Sequence, residues 1–178
     1  MKFLLVLVIT ILSLQVHAQQ FTPDNAKSKV SFVIKNMGID VDGSVKGLSG
    51  NINFNPKNIA KSSFYVTADA STVNTDNTKR DNHLQQSDFF DVANYPKITI
   101  SSSKIESKGG NQYTAHANVK IKNSVKAVTI DFTAVPTGNT YSFKGSFTVN
   151  RRDFGLGGNS MTMADNVKIN LDIETKKK

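Results

Sequence analysis

Tyr113-Thr114-Ala115-His116-Ala117-Asn118-Val119-Lys120-Ile121-Lys122 alternates without a break, apolar or small at odd positions and polar at even ones. A period of two places the two sets of side chains on opposite faces of an extended strand, one dry and one wet. The same code recurs in Val30, Phe32 and Ile34, in Phe64, Val66 and Ala68, and in Val128, Ile130, Phe132 and Ala134. It returns in Tyr141, Phe143, Phe147 and Val149, and in Val167, Ile169, Leu171 and Ile173. One apolar face per strand is the antiparallel pattern, because parallel strands covered on both faces read as continuous apolar runs.

Short turn signals separate these runs. Gly109-Gly110-Asn111 and Thr137-Gly138-Asn139 suit tight hairpins, and Asn55-Pro56-Lys57-Asn58 closes another strand. Eight strands are expected near 27–36, 41–55, 61–71, 96–107, 110–123, 126–136, 140–150 and 165–175. The second changes phase, with Val41 and Val45 at odd positions but Leu48, Ile52 and Phe54 at even ones. Gly47 and Gly50 supply the bulge that such a flip requires. Long, bulged antiparallel strands favour a sheet that closes on itself, with a two-sheet sandwich as the fold-level alternative.

Residues 78–90 break the alternation. A helix of about two or three turns is expected there, capped by Thr78 or Asp81, with Leu84 facing inward. Phe89 and Phe90 anchor it across the barrel, and Pro96 turns Tyr95 back to extended backbone.

At the start of the chain, Lys2, the apolar run from Phe3 to Leu14 and the small-residue site Val16-His17-Ala18 have the three parts of an export signal. The expected division is a cleaved signal at 1–18 and one barrel domain at 19–178, located in the periplasm or secreted. The apolar run is too short to cross a bilayer comfortably, so no integral membrane span is expected. The sequence has no cysteine, which excludes disulfides and thiolate metal sites. It holds 22 basic and 14 acidic residues, a net +8 that becomes +7 once Lys2 leaves with the signal. This balance favours anionic partners such as phosphates or lipid headgroups. The charge is spread over polar faces with no recognition helix, so no nucleic-acid partner is expected.

Beyond the signal there are two histidines, His83 and His116. His116 lies on a polar strand face. His83 stands near Asp81, Ser87 and Asp88, but no strained Gly-x-Ser-x-Gly turn presents a nucleophile. Neither histidine has zinc- or copper-type spacing, and Asp69 to Asp76 lacks a calcium-loop pattern. The expectation is therefore a non-enzyme with no catalytic residue, no metal and no cofactor. Arg80, Asp81 and His83 either cap the helix as a structural network or meet a ligand. The inward faces leave two readings open as well. Ala68, Ala115, Ala117 and Gly145 leave room for an apolar ligand, or they oppose larger residues in a barrel packed shut.

Arg80-Asp81-Asn82-His83-Leu84, Asp88-Phe89-Phe90-Asp91-Val92 and Tyr95-Pro96-Lys97-Ile98-Thr99 occur in order, and this segment resembles the YceI-like family of exported bacterial proteins. Ser49-Gly50-Asn51-Ile52-Asn53-Phe54, Asn150-Arg151-Arg152-Asp153-Phe154-Gly155 and Asp165-Asn166-Val167-Lys168-Ile169 are similar to further elements of that family. In the hairpin from Val119 to Val128, Asn123 stands where the family has Gly, at a turn position whose left-handed backbone Asn accepts, and Ala127 stands where it has Pro. The resemblance implies an all-β, eight-stranded antiparallel lipocalin-like barrel with one short helix between strands four and five. It also implies an interior tunnel for a polyisoprenoid or similar long-chain amphiphile, held as a carrier or scavenger. Phe32, Ile34, Phe54, Phe64, Val66, Ile100, Val119, Ile130, Phe143 and Leu171 would line that tunnel. Arg80, Asp81, His83 and Arg151 would meet the ligand's head or latch the helix. The rival readings are a filled barrel acting as a structural or stress-related interaction module, and an enzyme acting on an isoprenoid lipid. The oligomeric state is left open.

Overall fold

Alternation becomes a wall in the computed structural model, which describes residues 19–178; the expected export signal lies outside them. The strands are β1 (Gln20–Pro23), β2 (Lys29–Asn36), β3 (Ile39–Asn53), β4 (Ser63–Asn74), β5 (Lys97–Gly109), β6 (Gln112–Ile121), β7 (Ser124–Thr137), β8 (Thr140–Asn150) and β9 (Met163–Lys177). One helix, α1 (Thr78–Leu84), and two 3-10 turns, Ile59–Lys61 and Arg151–Phe154, complete the described elements. Neighbours run β3-β2-β9-β8-β7-β6-β5-β4, and β4 pairs back onto β3, so eight antiparallel strands close into a barrel. In β6 the odd residues Tyr113, Ala115, Ala117, Val119 and Ile121 are all buried, as the period of two requires.

The short β1 was not among the eight expected strands. It lies between the far ends of β3 and β9, with Phe21 opposite both Ile52 and Lys177. β2 lies between the near ends of the same two strands, with Phe32 opposite Gly43 and Ile169. The two pieces together form one stave, interrupted at 24–28. With β1 counted, α1 stands between the fourth and fifth strands; among the eight segments read from sequence alone it followed the third.

The phase change in β3 is the register shift between Lys46 and Ser49, where three residues of β3 span two of β4; a second shift, between Ser44 and Lys46, puts its extra residues on β4. Gly47 and Gly50 have φ of 68° and 139°. A Cβ on Gly50 would lie 2.1 Å from the Tyr65 carbonyl oxygen, so only glycine lets the two backbones approach here.

Two local expectations are corrected. Asn77, not Thr78 or Asp81, caps α1: its side chain accepts from the Arg80 backbone N–H at 3.0 Å. The Asp81 carboxylate is already occupied by Thr75. In the β6–β7 turn the left-handed residue is Lys122, at φ 53°, one place before Asn123. Asn123 instead donates its amide to the Tyr95 hydroxyl at 2.6 Å, tying that turn to the segment after α1.

The barrel has two unlike ends. The turns β3–β4, β5–β6 and β7–β8 share one end with the start of β1 and the close of β9. There Phe54 meets Tyr113, Tyr141 and Phe143 edge-on at 5.0 to 5.2 Å, and Phe21 meets Tyr141 at 5.6 Å. Edge-to-face contact suits the ring quadrupoles, and the result is a dry aromatic plug in which burial pushes the Tyr113 phenol above its ordinary pKa. α1, the β2–β3 and β6–β7 turns and the 151–162 connection occupy the other end.

Gly50→Ala is expected to cost about 3 kcal/mol, because the left-handed backbone and the steric overlap act together. Gly110 has φ 55° and nothing within 4 Å of an added Cβ, so Gly110→Asn should stay within about 0.5 kcal/mol. Urea denaturation midpoints of the two variants check both values.

Candidate functional site

Inside the barrel lies a cavity of about 280 Å³ with an almost wholly apolar wall. That is well above the ~150 Å³ at which an apolar engineered cavity stays dry and takes up benzene. The barrel is therefore not packed shut. Phe32, Ile34, Phe54, Phe64, Val66, Ile100, Val119, Ile130, Phe143 and Leu171 all line it. So do Val30, Phe147, Ile98 and Val149, whose parity in their strands matches that of the expected set. Of the four small residues expected to leave room, Ala68, Ala115 and Gly145 line the cavity, while Ala117 is buried away from it. Gly145 also has a packing role, since a Cβ there would lie 2.8 Å from the Phe132 Cβ.

At the α1 end the wall is completed by Arg80, Leu84, Phe89 and Phe90, all half-buried, and by buried Leu156. The segment after α1 and the 151–162 connection clamp each other there. The Gly157 N–H donates to the Asp88 carbonyl at 2.7 Å, and an added Cβ on Gly157 would lie 2.6 Å from the Phe89 ring. Beside this closure stand Met37, Ile39 and Met161, large apolar side chains that are mostly or fully exposed. The Met37 N–H donates to the Thr162 carbonyl at 2.7 Å, joining the two turns that carry them.

The four polar candidates divide by geometry. Arg151 is buried at 2% exposure. Its Nε donates to the Ala164 carbonyl, Nη1 to the Leu156 and Gly158 carbonyls, and Nη2 to the Met163 carbonyl and the Asp165 carboxylate, at 2.7 to 3.3 Å. A guanidinium has five N–H donors, and all five are used. Arg151 thus latches the 151–165 connection rather than α1. Arg80 is different. Its Nε donates to the Thr75 hydroxyl and Nη2 to the Thr75 carbonyl, each at 2.7 Å. Nη1 has no partner among the described residues, and the side chain borders the cavity.

Asp81 accepts the backbone N–H and the hydroxyl of Thr75, so buried Thr75 is held from both sides by consecutive residues of α1. Nothing in the sequence marked Thr75, because its role arises only when α1 folds back onto the end of β4. His83 points outward at 61% side-chain exposure, 2.8 Å from Asp88 and edge-on to Phe89. It borders a shallow outer concavity with Lys79, Asn82 and Gln86, not the interior. His116 lies 3.2 Å from Glu106 on the outer wall. His83 and His116 are on different elements and do not meet.

Asn36 shares the inward parity of Phe32 and Ile34 and lines the cavity, and its side-chain oxygen is buried with no partner among the described residues. The parity of β2 was signal enough to find it.

A family model described as the YceI-like domain matches residues 21–175. A UPF0312 protein of Vibrio parahaemolyticus is 27% identical over 160 residues, covering 86% of this chain and 84% of its own length. Among solved structures, BcnA of Burkholderia cenocepacia is 30% identical with a TM-score of 0.82, covering 86% of this chain and 99% of its own. A polyisoprenoid binding domain from Saccharophagus degradans, implicated in plant cell wall breakdown, superposes with a TM-score of 0.68 at 13% identity, over 89% of this chain and 98% of its own. At that identity the likeness is one of fold.

Arg151→Lys is expected to destabilise the protein by roughly 3 to 5 kcal/mol, since one ammonium cannot satisfy four carbonyls and a carboxylate left around a buried site. Hydrogen exchange should rise first in residues 156–165, while β5 and β6 stay protected.

Proposed function

The chain belongs to the YceI-like family, and on that footing we propose that its barrel holds one long-chain amphiphile of the polyisoprenoid class. The observation that carries this reading is the apolar cavity of about 280 Å³, closed by aromatics at one end and bordered at the other by an arginine with donors to spare. The name of the Saccharophagus degradans domain supports the ligand class. An isoprenoid tail needs a wall without directional demands, and Phe, Ile, Val and Leu provide one. Burying roughly 600 Å² of ligand at about 25 cal/mol per Å² gives on the order of 15 kcal/mol before the cost of ordering. That cost takes away several kcal/mol or more, which leaves tight but reversible binding.

Arg80 is the candidate for a phosphate or other anionic head, because a charge-assisted bond to its Nη1 group would displace no existing partner. Arg151 has no such donor left. The protein acts as a carrier or scavenger without chemistry of its own, exported to the periplasm or the medium. The reading as a non-enzyme is supported by His83 and Asp88 lying outside the cavity wall, away from any bound tail.

Organic extraction of the purified protein followed by lipid mass spectrometry should recover a prenyl chain. A protein that comes out empty and takes up neither prenyl alcohol nor prenyl phosphate would sink the reading. Ala115 is fully buried and lines the cavity. Ala115→Phe should cut prenyl loading at least tenfold at an overpacking cost of about 1–3 kcal/mol, while Ala127→Phe on the outer wall leaves loading unchanged. Arg80→Met should weaken prenyl phosphate about tenfold and prenyl alcohol hardly at all, read by titration with each ligand.

A further inference from the structure

We infer that the plugged end of the barrel is a docking surface for an anionic lipid bilayer, which would leave the α1 end facing the water. The cationic excess of this chain is not evenly placed. At the α1 end Lys35 pairs with Asp40, Lys126 with Asp153, and both Arg151 and Arg152 with Asp165. Lys79, Arg80 and Lys122 stand there among Asp76, Asp81, Asp88 and Asp91. The plugged end has no such balance. Its turns at 54–62, 109–112 and 137–140 contain no carboxylate, and Lys57, Lys61, Lys108, Lys176, Lys177 and Lys178 all lie exposed in or beside them.

None of these six has a carboxylate within ion-pair distance among the described residues. Glu106, two residues before Lys108, is already shared by Lys104 and His116, and Glu174 and Asp24 stand further down the wall where β1 meets β9. The six lysines come from the β3–β4 connection and the ends of β5 and β9, which adjoin along one arc of the rim, and such a broad cationic arc suits a charged surface better than a single strand of phosphates. Half-exposed Tyr65 sits opposite Asn51, which accepts from the Lys178 ammonium at 3.0 Å. A tyrosine beside lysines is suited to the headgroup level of a membrane. Each lysine near an anionic leaflet contributes about fivefold in partitioning, and salt screens the attraction. Seated this way, the barrel presents Arg80, Phe89 and the exposed Met161 to the aqueous phase, so it would exchange ligand with that phase and not with the leaflet beneath it.

The test is cosedimentation with phosphatidylcholine vesicles, with and without phosphatidylglycerol. Binding is expected only with phosphatidylglycerol and should disappear in high salt. K57Q/K61Q/K108Q and K176Q/K177Q/K178Q should each weaken it by about a hundredfold, with K35Q/K126Q at the other end unchanged. For orientation, a solvatochromic dye on Asn139→Cys should report a bilayer environment and one on Met161→Cys should report water; the chain has no cysteine to compete. Three results overturn the proposal: rim variants that bind as well as the parent, dyes that report the reverse orientation, or rim lysines that retain duplex DNA while vesicles go unbound. Vesicle binding by Ala115→Phe should match the parent, so this surface stands or falls separately from the ligand reading of the interior.

Discussion

Closure of β4 onto β3 is the constraint from which the rest of the structure follows. A chain without disulfides has only its core and its hydrogen-bond ladder to hold it, and a closed sheet leaves no long edge unpaired. Closure demands tilt and stagger, and part of the stagger lies at Gly47, where β3 takes up an extra residue against β4. The phase change that follows keeps Leu48, Ile52 and Phe54 pointing inward after Val41 and Val45 have done so. Without it, half of β3 would face the wrong way and the interior would lose Phe54, the centre of the aromatic plug.

The two ends then solve different problems. The plug end is shut by rings meeting edge-on and needs no polar network. The α1 end is shut by chain that crosses the opening, and crossing chain brings carbonyls that must find donors. Arg151 supplies five donors to the 151–165 connection, and Arg80 with Asp81 fixes α1 through Thr75. The apolar space between the ends survives because small residues, Ala68 and Ala115, stand in the wall where larger ones would fill it.

Much of this was legible in the sequence because strand period and side-chain direction are locked together. Parity alone put Phe32, Phe64, Val119 and Leu171 on the inner face, and the family motifs turned eight strands into a closed barrel. What the period could not carry was anything depending on which segments meet. β1 is too short to alternate visibly, and its place is set by the gap that β2 leaves between β3 and β9. Asn77 displaced the expected caps of α1 because Asp81 was engaged elsewhere. The separation of Arg80 from Arg151 also lay beyond the sequence: both read as arginines beside non-strand segments, and only the count of satisfied donors tells them apart.

The interrupted stave has a mechanical consequence. A continuous strand between β3 and β9 would open only by breaking its whole ladder at once. β1, four residues long and separated from β2 by the turn at 24–28, is a ladder of its own with few rungs. Short ladders open subglobally at a fraction of the global free energy. Its release would bare the ends of β3 and β9 and withdraw Phe21 from Tyr141, loosening the plug while the other seven staves stay paired. The barrel's weakest seam is therefore the one that β1 closes, and the length of that single strand limits what holds it shut.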